Sequence, residues 1–90
     1  MRWQTTLRPV ARVSGAQTNS TALLALGAAI RARRTFMGLS QEAVANAAGL
    51  DRSHMGKIER GERNVTLLNI MRIAGVLQSS ASELLAAAKL

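Results

Sequence analysis

The chain is 90 residues long, enough for one small domain, and it contains no cysteine, which excludes a disulfide framework and a thiolate metal site. Aromatic residues make up 2 % of the chain, and their scarcity beside abundant alanine and leucine favours an all-α fold over a sheet. The net charge is +7, from 12 Lys and Arg against 5 Asp and Glu, and it favours a polyanionic partner, either a nucleic acid or an acidic membrane face.

The N-terminal stretch is basic and has no helical period. Arg2, Arg8 and Arg12 lie there without an acidic residue, together with the single proline of the chain. We interpret residues 1–19 as a flexible arm that either contacts the same polyanion or has no role. A signal peptide is disfavoured because arginines interrupt the stretch before a sufficient apolar core can form. Residues 20–90 are then the folded domain.

The first helix is predicted to begin at Ser20 or Thr21 and to run to about Phe36. One stripe of this helix is apolar, with spacings of three, four and seven residues, and comprises Leu23, Leu26, Ile30 and Met37. Arg34 falls in the same stripe, one turn beyond Ile30. Arg31 and Arg33 are expected on a solvated face.

Two short helices around Gly49 follow. Ser40 can cap the first by accepting a bond from a backbone amide, and Glu42 stands where the positive end of the helix dipole favours a carboxylate. Gly49 tolerates the positive φ that a tight exit into another helix requires. The pattern therefore predicts two helices joined by a tight turn.

The second of these helices, predicted over residues 51–60, has two unlike faces. Asp51 caps it, and its inward residues Met55 and Ile58 lie about one turn apart. The opposite face carries small, polar and basic residues, which are Ser53, Gly56, Lys57 and Arg60. Glycine costs a helix about 1 kcal/mol relative to alanine, so its presence on this face indicates that something outside the helix approaches closely.

Two charged residues point inward. Arg34 continues the apolar stripe of the first helix, and Glu59 lies one turn beyond Met55. An unpaired, partly buried charge is costly, so we predict that Arg34 and Glu59 form an ion pair. The alternative is that both long side chains extend to solvent.

Two further helices complete the domain. The fourth is predicted to start near Thr66, and its inward stripe is predicted to contain Leu67, Ile70, Ile73, Ala74 and Leu77. Leu68, Met71 and Val76 are then left outside, which makes them candidates for a subunit contact. Ser80 and Glu83 form a capping box before the apolar run that predicts a fifth helix, ending near Leu90.

Many positions match one known pattern in register. They are Leu26-Gly27, Ile30, Arg34, Leu39-Ser40-Gln41-Glu42, Val44-Ala45, Ala48-Gly49, Ile58-Glu59-Arg60-Gly61, Arg63, Ile73-Ala74 and Leu77. With these residues the chain resembles the Cro/cI-type, or XRE-type, helix-turn-helix family over about residues 22–90. Residues 50–53, 58–60 and 63–66 are also similar to the small controller proteins of restriction-modification systems.

This resemblance implies an all-α, five-helix, lambda-repressor-like DNA-binding domain with a flexible N-terminal arm. Its partner would be double-stranded DNA, with residues 51–60 as the recognition helix in the major groove. The family positions that reach base edges match Arg52, Ser53 and Lys57. Those that contact the DNA backbone match Gln41, Arg60 and Asn64, and His54 on the flank of the helix is expected to join them.

Family members commonly bind palindromic operators as dimers. A homodimer is therefore expected, with its interface on the fourth and fifth helices through Leu68, Met71 and Leu85. The implied role is that of a transcriptional regulator, either repressor or activator, in the cytoplasm of a bacterium or of a phage host, associated with the nucleoid.

Other classes of function fit less well. One histidine, no cysteine and 5 acidic residues supply neither a nucleophile-base pair nor a metal cluster, so we expect no enzyme, no metal and no cofactor. Membrane binding is disfavoured because no apolar run approaches the length of a span. The alternative that remains is an antitoxin-type regulator that also binds a toxin protein. Such a regulator would need a longer extra segment than the short arm.

Overall fold

The computed structural model describes residues 20–90, and the predicted arm, residues 1–19, lies outside the described residues. Residues 20–90 form five α-helices and contain no strand. The helices are α1 (Thr21–Phe36), α2 (Gln41–Ala48), α3 (Arg52–Glu59), α4 (Leu67–Val76) and α5 (Ala81–Ala87). The prediction of an all-α, five-helix fold is confirmed. Among these described helices, not one combines the length and the apolar character needed to cross a membrane.

Every one of the five helices begins at a polar cap. The capping side chains, each of which accepts a hydrogen bond from a backbone amide in the first turn, are Ser20, Ser40, Asp51, Thr66 and Ser80. The predicted capping box of α5 is present, since Glu83 also accepts a bond from the backbone N–H of Ser80 at 3.0 Å. These caps explain why the helix starts were predictable, because each depends on residues within one turn.

The core lies where the inner faces of the five helices meet. Its largest fully buried side chains are Ile30, Met55, Ile58, Ile73, Leu77 and Val44. Met55 has no exposed surface, so its unbranched thioether fills its space in this core.

The predicted inward stripe of α4 is wrong at one end. Leu67 is 65 % exposed, whereas Val76, predicted to lie outside, is partly buried against the core. With about 100° between successive helical residues, Leu67 points in nearly the same direction as the buried Ala74, seven residues later. Its exposure therefore follows from its position as the first residue of α4 and not from its direction around the helix.

Gly27 and Arg33 make two of the contacts that attach α1 to the rest of the domain. A Cβ added at Gly27 would lie 2.5 Å from the carbonyl oxygen of Ile58, so the backbones of α1 and α3 approach closely at this point. Arg33 donates from Nε to the carbonyl of Leu77 at 3.0 Å and from Nη2 to that of Gln78 at 3.3 Å. The expected solvated position of Arg33 is therefore wrong, because its guanidinium binds carbonyls left free at the end of α4.

Candidate nucleic-acid interface

The turn between α2 and α3 sets the position of the polar face. Gly49 has φ 74° in the left-handed region, and the amide of Leu50 donates to the carbonyl of Ala45 at 2.8 Å. This is the exit predicted from the glycine, and it satisfies carbonyls at the end of α2. Because the turn is short, α3 begins at once with Asp51 as its cap.

The start of α3 is held by Asp51 and Ser53. The backbone amide of Ser53 donates to the Asp51 carboxylate at 3.0 Å, and the Ser53 hydroxyl donates to the same oxygen. The hydroxyl bond, followed by the amide bond, lowers the pKa of Asp51 below its ordinary value because both stabilise the charged carboxylate. The hydroxyl proton of Ser53 is thereby occupied, which leaves its lone pairs free to accept.

One groove collects most of the side chains that the sequence singled out. It has a volume of about 490 Å³ and is lined by Gln41, Asp51, Arg52, Ser53, Gly56, Lys57 and Arg60. Arg52 and Ser53 are exposed, and the stem of Lys57 is half-buried. The three predicted base-contacting residues and two of the predicted backbone-contacting residues, Gln41 and Arg60, therefore share one surface.

Beneath this groove lies the predicted ion pair. Arg34 donates from Nε to Oε2 of Glu59 at 2.6 Å and from Nη2 to Oε1 at 2.9 Å, and the Glu59 side chain is 1 % exposed. The third nitrogen of the Arg34 guanidinium, Nη1, donates to the carbonyl of Leu39 at 2.9 Å. The hydrogen bonds to Glu59 are the main reason that the pKa of Arg34 lies above its ordinary value. The structure thus contains the pair, and it links α1 to α3.

Gln41 connects this buried pair to the surface. Its Nε2 donates to Oε1 of Glu59 at 2.9 Å, so Glu59 accepts from both Arg34 and Gln41. The amide of Gln41 carries a second N–H that this bond does not use. Gln41 therefore braces α3 against α2 while part of its amide still faces the groove.

Arg60 forms an ion pair with Glu62, two residues later in the chain. It donates from Nε to Oε2 of Glu62 at 3.0 Å and from Nη2 to Oε1 at 3.3 Å, and both side chains are about half exposed. The hydrogen bonds from Arg60 lower the pKa of Glu62 below its ordinary value. This pair was not predicted from the sequence, although the spacing of two residues after a helix end is compatible with it.

Two predicted backbone-contacting residues stand apart from the groove. Asn64 is exposed in the segment between α3 and α4. The His54 ring is half-buried, and its Nε2 is buried and has no hydrogen-bond partner among residues 20–90. A phosphate would therefore have to reach the other ring nitrogen of His54.

The predicted dimer residues divide into two groups. Leu68 is 62 % exposed and Met71 is 52 % exposed, and Leu67 adds to this apolar side of α4. Leu85 is partly buried and packs against the core. On the exposed apolar side of α4, Leu67 thus takes the place of the predicted Val76, and Leu85 on α5 exposes less surface than the sequence indicated.

The side chains that line the groove are suited to binding a polyanion. Among residues 20–90 no group of three or more His, Cys, Asp or Glu side chains is placed to hold a metal ion. The groove instead combines guanidinium, ammonium, amide and hydroxyl groups on one helix face and its flank. These groups bind phosphates and base edges.

Comparisons with known proteins identify the family of the chain. The Helix-turn-helix family model matches residues 30–84, which is more than half of the chain. Control protein C.SmaI from Serratia marcescens is 43 % identical over 56 residues, covering 62 % of this chain and 67 % of that protein. Control protein C.MunI from Mycoplasma sp is 42 % identical over 52 residues, covering 58 % and 70 %.

A solved structure shows the same fold at higher coverage. The restriction-modification controller protein C.AhdI from Aeromonas hydrophila superimposes with a TM-score of 0.71 at 46 % identity, covering 72 % of this chain and 98 % of that one. The resemblance predicted from the sequence is therefore confirmed. The chain belongs to the Cro/cI-type, or XRE-type, helix-turn-helix family, and it is a DNA-binding transcriptional regulator of the controller-protein type.

Proposed function

We propose that the protein binds a palindromic operator as a homodimer, with α3 in the major groove and α2 crossing the backbone beside it. The observation that carries the proposal is the groove of about 490 Å³, which collects Gln41, Arg52, Ser53, Lys57 and Arg60 on one surface. A site on bacterial or phage DNA would place the protein in the cytoplasm.

Three residues of α3 are the proposed base readers. Arg52 and Lys57 carry donors suited to the O6 and N7 acceptors of guanine. Ser53 donates its hydroxyl proton to Asp51, so we expect it to accept rather than donate. Its partners at base edges would then be the amino groups of adenine or cytosine.

The proposed backbone contacts set the position of α3 rather than its sequence preference. Gln41 has one free N–H beside the groove, and Arg60 keeps its Nη1 there. Asn64 is exposed after α3, where a phosphate next to the major groove would lie. His54 contributes through its second ring nitrogen or not at all, because Nε2 is buried.

The proposed dimer interface is centred on the exposed apolar side of α4, with Leu68 and Met71, and extends to Leu85 on α5. A two-fold dimer would place its recognition helices roughly 34 Å apart, one turn of DNA. This distance allows both α3 helices to enter successive major grooves on one face of the duplex.

Selection of bound sequences from random double-stranded DNA tests the whole proposal. We expect enrichment of an inverted repeat whose half-site centres are about 10 base pairs apart, because this spacing matches one turn. Enrichment of a single unrepeated site would contradict the dimer. Recovery of no preferred sequence would contradict sequence-specific binding.

A further inference from the structure

Gly56 lies on the outward side of α3, yet it is buried. A Cβ at this position would lie 3.2 Å from Nη1 of Arg60 and 3.5 Å from Oε1 of Gln41. The closest atoms over Gly56 therefore belong to the protein itself. The sequence indicated that something approaches this glycine from outside, and in the structure the Arg60 guanidinium and the Gln41 amide occupy that place.

The Arg60 guanidinium is held on one edge by Glu62. Glu62 accepts from Nε and Nη2, so it engages the edge that faces away from Gly56. The remaining nitrogen, Nη1, lies over Gly56 beside Gln41 and borders the groove. A guanidinium oriented in this way offers its Nη1 hydrogens to an oxygen in the groove without a further change of rotamer.

We propose that Gly56 is a positioning residue for DNA binding, because the absence of a side chain there lets Arg60 fold across α3 and direct Nη1 at a phosphate next to Gln41. The inference rests on the proposed function, in which Arg60 contacts the DNA backbone. It assigns a reason for glycine inside a helix of eight residues, where every other residue except proline is more favourable.

The Gly56→Ala substitution distinguishes this positioning role from a structural one. Gly56→Ala removes the conformational freedom of glycine from a helix, so its unfolding midpoint should equal or exceed that of the wild type. Gly75→Ala supplies the reference for this gain, because a Cβ at Gly75 meets no atom of the described part of the chain within 4 Å. A merely structural role for Gly56 would instead lower the midpoint and leave the affinity of the folded protein unchanged.

The affinity of Gly56→Ala for DNA should fall, although its unfolding midpoint should not. We expect Arg60→Ala to weaken binding to a duplex of the selected operator about tenfold, as for loss of a charge-assisted hydrogen bond, and to reduce the salt slope by about one unit. Gly56→Ala should weaken it about threefold, because a displaced guanidinium keeps part of its attraction to phosphate. The double variant should bind as Arg60→Ala does, since the methyl group then has no guanidinium to displace.

Each outcome decides between specific explanations. If Gly56→Ala binds like the wild type while Arg60→Ala is weakened, the positioning role is wrong and the proposed function stands. If the loss from Gly56→Ala persists in the Arg60→Ala background, the methyl group meets DNA directly and the inference is equally wrong. If the wild type selects no operator, the proposed function itself fails.

Discussion

At the scale of single residues, Glu59 is the side chain on which most of the site depends. Its buried carboxylate accepts bonds from Arg34 and Gln41, and it lies at the end of the helix that carries the proposed base readers. The sequence predicted its inward direction because Met55 and Glu59 are one helical turn apart. The family resemblance implies that Gln41 braces the recognition helix, but its bond to Glu59 was not predicted, because α2 and α3 meet only in the folded chain.

Removal of the Glu59 carboxylate should destabilise the domain strongly. Glu59→Ala leaves the Arg34 guanidinium buried without its partner, and we expect a loss of about 3 to 5 kcal/mol in the free energy of unfolding. Glu62→Ala is the matched control, because it removes an exposed carboxylate that also pairs with an arginine. Urea unfolding of both variants measures the difference, and equal, small losses would contradict the role of the pair.

Asp51 makes stability depend on pH. Its pKa in the folded state is lowered by its bonds from Ser53, so its contribution is present above the ordinary carboxyl pKa and is lost as the pH falls through the folded value. Asp51→Asn keeps a capping oxygen but does not titrate. Unfolding midpoints of the wild type should therefore fall more steeply with acidification than those of Asp51→Asn, and parallel curves would contradict this assignment.

At the scale of helices, the close crossing of α1 and α3 fixes the angle of the proposed recognition helix. Gly27 lets the α1 backbone approach the carbonyl of Ile58 on α3, and the Arg34–Glu59 pair joins the same two helices further along. The site groove thus faces outward because α3 is held from behind by α1.

A methyl group at position 27 should force the two helices apart. Gly27→Ala places its Cβ 2.5 Å from a backbone oxygen, which no side-chain rotation relieves, and we expect a loss of about 1 to 3 kcal/mol or more in unfolding free energy. Gly75→Ala, at a helical glycine with open space around it, should not destabilise. Thermal unfolding compares the two, and a stable Gly27→Ala would show that the crossing is adjustable.

Features that depend on neighbouring residues in the sequence were predictable in this chain, whereas features that depend on tertiary packing were not. The helix starts were predictable because Ser20, Ser40 and Asp51 cap within their own turn. The exposure of Leu67 was not, because it depends on how far the neighbouring helices reach along α4, and Leu67 is the first residue of that helix. The position of Arg33 was missed for the same reason, since its acceptors are 44 and 45 residues away in the chain.

At the scale of the whole molecule, the positive charge suits the binding of DNA, whereas the exposed apolar side of α4 suits the proposed dimer contact. The net charge of +7 favours approach to any DNA, whereas the groove supplies specific donors. Leu67, Leu68 and Met71 expose apolar surface on α4. Of the DNA-contacting residues that the family resemblance implied, five line the groove, whereas His54 and Asn64 lie apart from it. The geometry of a dimer depends on a second chain.

A charge on the apolar side of α4 should prevent the proposed dimer. Leu68 is already exposed in the single chain, so Leu68→Glu should leave the fold intact and shift sedimentation to the monomer at micromolar concentration. Phe36→Glu is the control, because Phe36 is an exposed apolar residue on α1. If Leu68→Glu sediments like the wild type, the dimer uses another surface.

The central claim is that α3 reads bases, and the affinity of Arg52→Ala for two DNA duplexes tests it most directly. We expect this variant to lose about 1 to 3 kcal/mol on the selected operator and nearly nothing on a random duplex of equal length and salt, because a base contact is made only to the cognate sequence. An equal loss on both duplexes would show that Arg52 contacts only phosphate, and it would contradict the claim.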